Sequence, residues 1–165
     1  MSSRLRNILA VILGLVLAFS TIFLIEGVGH EIYPPSTEIL EAQEKLSSLP
    51  PSDKEARKRA ESEMKEAMEG YLDEAPAGAL WMILIAWFCG SFFGSFGASA
   101  LANSRRLTIG MVIGIMVFLG AVANFIMLPV HPLWMVLTSL ILILPLSYLA
   151  TGLGRKLFPQ KNTGS

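Results

Sequence analysis

Three stretches of the chain carry no charged side chain: Asn7 to Ile25, Ala75 to Ser104 and, apart from the titratable His131, Leu107 to Gly154. A helix needs about 20 mostly apolar residues to cross a hydrocarbon core about 30 Å thick, at about 1.5 Å rise per residue. The first stretch predicts one spanning helix, Ile8–Ile25, and the second one long helix, Gly78–Ala102. The third is long enough for two, and Pro129-Val-His-Pro132 divides it. Proline removes a backbone donor and disfavours helical geometry in the residue before it. The third and fourth helices are therefore expected over Thr108–Leu128 and Leu133–Gly152. Lipid admits only helices and closed barrels, which satisfy their own backbone, and unbroken apolar runs exclude the alternating barrel pattern. The expected fold is all-α: one membrane domain over 1–165, a four-helix up-down antiparallel bundle, with a polar insert over 27–75.

Within the insert the period changes to that of amphipathic surface helices. Pro34-Pro35 and Pro50-Pro51 punctuate it, and between them Ile39, Ala42, Leu46 and Leu49 recur at helical spacing behind Ser36 or Thr37 as a cap. After the second proline pair, Ser52-Asp-Lys-Glu55 has the form of a capping box. Ala56, Ala60, Met64, Ala67, Met68 and Tyr71 then share one face, with Gly70 as the expected stop. The pattern predicts two short helices capping the bundle.

Charge turns these elements into a topology. All 13 acidic residues lie between Glu26 and Glu74, where six basic residues leave a net charge of −7. Arg4, Arg6, Arg105, Arg106, Arg155, Lys156 and Lys161 sit at the N-terminus, in the loop between the second and third spans and at the C-terminus. With four spans these three places share a side, which the positive-inside rule makes cytoplasmic. The insert is then outside, with Tyr33, Tyr71, Trp81 and Trp134 near the outer interface and Tyr148 and Phe158 near the inner one. The first span reads as a retained signal anchor, being longer than a signal-peptide core and lacking an A-x-A cleavage site.

Composition narrows the function classes. Over the 165 residues, 53% are hydrophobic and 16% charged, against about 25% charged in a soluble domain. Zero net charge argues against nucleic-acid binding. A single cysteine, Cys89, excludes an internal disulfide, a CxxC redox pair and a cysteine-rich zinc site. Neither an acidic residue nor a histidine lies at mid-membrane, which speaks against a buried proton-coupling carboxylate or a bis-imidazole haem. The lack of a nucleotide-binding loop and of a nucleophile constellation leaves the expectation of a non-enzymatic protein.

Small residues mark packing faces. In the second span Gly90, Gly94, Ala98 and Ala102 form one column and Ser91, Ser95, Ser99 and Asn103 the next, with Phe88, Phe92, Phe93 and Phe96 turned away. The third span offers Gly110, Gly114, Gly120 and Ala121, and the first Gly14 and Ala18. Helices associate in lipid by close approach, which small-xxx-small faces allow, so these columns are expected to meet. The first span is expected to neighbour the second and fourth.

Candidate chemistry gathers at the outer boundary. Glu26 and His30 are four residues apart and share a face if the helix continues, with Glu31 beside them. His131 lies in the short loop between the last two spans, and the polar Asn124 just below it. Imidazole with carboxylate suits a first-row metal ion or proton transfer. The plainer alternative is structural: His30 interacting with Glu26, and His131 bonded to backbone independently of both.

The segments Glu26-Gly-Val-Gly-His30-Glu-Ile-Tyr33-Pro34 and Pro129-Val-His131-Pro132-Leu-Trp134 together resemble an uncharacterised family of small bacterial four-helix integral membrane proteins. The resemblance implies the same architecture in a bacterial cytoplasmic membrane, without naming an activity or cofactor; the acidic insert is longer and more charged than the resemblance implies. The expected function is a scaffold or accessory subunit of an inner-membrane complex. Its acidic outer cap would meet a partner protein; a homo-oligomer, with the small-residue face of the second span as its seam, is the alternative association. The alternative is a transporter for a small solute or metal ion, using the outer Glu/His cluster.

Overall fold

The computed structural model describes residues 2–128 and 131–159. Those residues form six helices and no strand: α1 (Ser3–Ile32), α2 (Thr37–Ser48), α3 (Lys54–Glu74), α4 (Ala77–Leu101), α5 (Arg106–Met127) and α6 (Leu133–Leu157). Four of them, α1, α4, α5 and α6, are long and apolar enough to cross a membrane. The protein is thus an all-helical, multi-span membrane protein. The dividing Pro129 and Val130, and Lys161 of the basic tail, lie outside the described residues.

The helix ends follow local chemistry. Ser2 opens α1 by accepting from the Leu5 amide at 3.3 Å, and Ser36 opens α2 by accepting from Ile39 at 3.4 Å. The opening of α3 differs from the expected Ser52 box. Asp53 accepts from the Ala56 amide at 3.0 Å, because an Asp53 N–H to Pro50 C=O bond draws Ser52 into the preceding turn. Nor does Gly70 stop α3, which runs to Glu74; the chain leaves the helix at Ala75, directly before Pro76. α1 passes Glu26 and continues to Ile32, so Glu26, Gly29 and His30 are all helical. α6 runs through Pro145, past Gly152, to Leu157. Its end is held from α5: the Arg106 guanidinium donates to Gly154 O and Phe158 O, each at 2.8 Å, while its Nε donates to Ser99 O of α4 at 2.6 Å. One fork thereby satisfies Ser99 O and Phe158 O, and adds a second bond to Gly154 O, which already accepts from the Phe158 amide.

Of the spans, α4 is central. It touches α1, α5 and α6, whereas α1 touches α4 and α5 and makes no close backbone approach to α6 among the described residues. The expectation that the first span neighbours the fourth is therefore corrected. The reason lies in the two small columns of α4, which serve different partners. Gly90, Gly94 and Ala98 face α1: a Cβ on Gly94 would lie 2.6 Å from Ala18 Cβ and 2.8 Å from Gly14 O. Ile113 of α5 fills the remaining groove, 2.9 Å from that same Cβ. Ser91, Ser95 and Ser99 are fully buried one step around the helix. On that side a Cβ on Gly110 of α5 would strike Thr151 of α6 and lie 3.0 Å from Ser95 O, and one on Gly114 would overlap Ser147. Ser99 Oγ donates to Thr151 O at 2.9 Å. Ala121 is buried, but Gly120 faces open space and belongs to no packing column.

Hydrogen bonds fix the antiparallel register of α1 and α4 at the basic end. Asn7 Oδ1 accepts from the Asn103 amide at 2.9 Å, and Asn7 Nδ2 donates to Ser104 Oγ at 2.8 Å. At the other end Gly29 sits against Met82, and Gly78 lies beneath the Tyr33 ring, where a Cβ would overlap the hydroxyl. Trp81 at the start of α4 and Trp134 at the start of α6 stack with ring centres 5.2 Å apart, so both helices begin at this end. Large apolar side chains such as Phe23, Leu24 and Ile126 point outward, as a lipid-facing surface requires.

The insert is a helical hairpin rather than a close-fitting cap. α2 and α3 pack on each other, joined by Ile39, Ala42 and Ala60 and by the Lys45–Glu63 ion pair. Neither helix makes a close backbone approach to a span. The hairpin meets the bundle through the last turns of α3, where Leu72 joins the buried apolar cluster of the spans and Met68 packs against it.

Candidate functional site

Where the bundle meets the hairpin, the ends of α1, α3, α4 and α5 and the segment before α6 enclose a cavity of about 300 Å³. Its position follows from the register of α1 on α4. Contact between Ala18 and Gly94, carried on through Gly29 and Met82, brings Glu26 level with Trp87. Glu26 is half-buried, and the Trp87 side chain lies within hydrogen-bonding reach of its carboxylate. His30 follows one turn further along α1 and is exposed. Both histidines and Asn124 border this cavity with Glu26, so four of the residues singled out in the sequence come to one place. Glu31 does not: it is exposed and lies away from the cavity wall.

His131 is buried and held on two sides. Its Nδ1 lies 2.6 Å from Leu128 O; since a carbonyl can only accept, Nδ1 carries the proton. Nε2 takes no part in that bond and is an acceptor in the neutral ring. The Phe125 ring meets the imidazole edge-on with centres 5.0 Å apart and meets Trp87 edge-on at 5.6 Å. His131 is thus bonded to backbone, as the structural reading expects, while sharing a cavity with Glu26 and His30. Asn124 Oδ1 is buried with no hydrogen-bond partner. Among the described residues, no group of three or more His, Cys, Asp or Glu side chains is placed to hold a metal ion.

Much of the wall had no signal of its own in the sequence. Trp87 lies inside an uncharged run, one aromatic among several, and only the pairing of the small columns in α1 and α4 points it at Glu26. Met68, Tyr71 and Leu72 come from α3, and their docking is a tertiary event.

Along the seam of small residues most serine hydroxyls turn back to the backbone of their own helix. Ser139 and Ser147 return their hydroxyls to Met135 O and Ile143 O at 2.9 and 2.8 Å, and Ser91 to Phe88 O at 3.0 Å. Ser95 Oγ and Thr151 Oγ1 are buried without partners. No family model matches the chain, and neither curated proteins nor solved structures give a match.

Proposed function

We propose that this chain is a non-enzymatic scaffold or accessory subunit of a bacterial cytoplasmic membrane, presenting its acidic hairpin to a basic surface of a partner protein on the outer side. The observation that carries the reading is the hairpin itself. It packs on itself, meets the spans, among the described residues, through the end of α3, and leaves most of its charged side chains exposed. Glu38, Glu41 and Glu66 border the groove between α2 and α3, beside the Lys45–Glu63 pair. Eleven acidic and six basic residues over Thr37–Glu74 give the hairpin a net charge of −5, which steers a cationic partner toward it and keeps like-charged surfaces away. The outward orientation rests on the basic residues at the opposite end. The bacterial membrane rests on the resemblance of the Glu26–Pro34 and Pro129–Trp134 segments to small bacterial four-helix proteins.

Native extraction in mild detergent tests this. The chain should migrate in a defined complex that raised ionic strength dissociates, since exposed charge pairing is screened within about 10 Å at 0.1 M salt. The combined variant Glu38→Lys, Glu41→Lys and Glu66→Lys should run free. A complex that the triple variant retains, or a wild-type chain that runs free throughout, overturns the reading. The second reading, transport of a small solute or metal ion, has the boundary cavity in its favour; uptake of that solute or ion by vesicles containing the purified chain alone would replace the first.

A further inference from the structure

The boundary cavity sets one carboxylate, that of Glu26, among apolar and aromatic walls, with Asn124 and both histidines also on its border. Trp87, Tyr33 and Tyr71 add aromatic rings to the wall, and Leu80, Ile83 and Leu72 add aliphatic surface. An anion entering this space would meet the Glu26 carboxylate. A divalent metal ion would find no three ligating side chains arranged for it among the described residues. A neutral apolar molecule would offer the half-buried Glu26 carboxylate no partner. A positively charged donor answers that carboxylate, and the aromatic faces attract it as well.

We infer that this cavity is a binding site for a small organic cation: a primary ammonium group on a short apolar or aromatic body. The ammonium sits at the Glu26 carboxylate, and the body lies against the apolar and aromatic wall. Because Met68, Tyr71 and Leu72 form one side of the cavity, an occupant also contacts the end of α3. The site is independent of the hairpin's partner, and each proposal stands or falls by its own experiment.

Ammonium ligands of this kind come from two sources, a soluble amine or the headgroup of an ethanolamine lipid. The test uses the purified full-length chain in lipid-free detergent micelles, titrated calorimetrically with phenethylammonium and with its neutral isostere 2-phenylethanol. The cation should bind saturably and at least about tenfold more tightly than the alcohol, the difference expected for a charge-assisted over a neutral hydrogen bond. Glu26→Gln should bring the cation's affinity down to that of the alcohol, and Glu31→Gln, at an exposed position away from the wall, should leave it unchanged. Equal affinity for the two probes overturns the proposal on the wild-type chain alone, whatever the variant's folding. Retention of the preference by a folded Glu26→Gln chain overturns it as well. Repeating the titration in bilayer discs of phosphatidylglycerol, mixed either with phosphatidylethanolamine or with a neutral glycolipid, identifies the source. Weaker amine binding in the ethanolamine discs assigns the site to the lipid headgroup, and equal binding assigns it to a soluble amine.

Discussion

Gly94 has no room for a methyl group. A Cβ there would meet Ala18 Cβ at 2.6 Å, Gly14 O at 2.8 Å and Ile113 Cγ2 at 2.9 Å, so backbone from a neighbouring helix is among the obstacles. Gly94→Leu must separate α1 from α4 and should cost about 1–3 kcal/mol by overpacking. Phe92→Leu, on the large-residue face of the same helix, should cost less than Gly94→Leu. At Gly120, where an added Cβ meets nothing, alanine should be tolerated. Unfolding midpoints in micelles for the three variants check the ranking, and equal tolerance at Gly94 and Phe92 would contradict the face assignment. Arg106 shows residue chemistry of the opposite kind, bonding carbonyls at the ends of α4 and α6 with one planar group.

Among the elements, the hairpin and the spans are held by different forces. The spans rely on close backbone approach along small columns, and the hairpin on a narrow apolar face, a side-chain cap at Asp53 and charged surface chemistry. Their junction depends on a few side chains, of which Leu72 is the most deeply buried in the last turns of α3. Leu72→Ala should therefore act locally. Loss of a buried leucine side chain costs about 2–5 kcal/mol in a packed core. Here it should appear as release of the end of α3 with the spans intact. Hydrogen exchange should quicken from Met68 to Glu74 and stay unchanged in α5 and α6. Equal acceleration across α5 and α6 would show that the hairpin is integral to the bundle.

For the molecule as a whole, the separation of charge along the bundle sets the expected orientation. In a Cys89→Ser background on intact cells, a cysteine at Ser62 should react with an impermeant thiol reagent, and one at Thr163, beyond the described residues, should not. The reverse labelling would invert the topology and move both the hairpin and the cavity to the cytoplasmic side.

Four spans, their approximate limits and the helical insert were legible in the sequence because each depends on local quantities. Uncharged length, proline position and hydrophobic period act within about 20 residues of chain. The small columns of α4 were legible for the same reason, as a repeat of four on one helix. Which neighbour each column would meet was not. Gly94 takes α1 and Ser95 takes α5 and α6 because Ile113 fills one groove while Gly110 and Gly114 open another, a choice made between distant segments. Glu26, His30, Asn124 and His131 could be named as polar groups near one boundary, since depth follows from distance along a helix. Their meeting around one cavity, with Trp87 directed at Glu26, depends on the register of α1 against α4 and on the docking of α3. Sequence fixes depth and face through helix geometry; lateral neighbours are decided by side-chain shapes that come together only when the chain is packed.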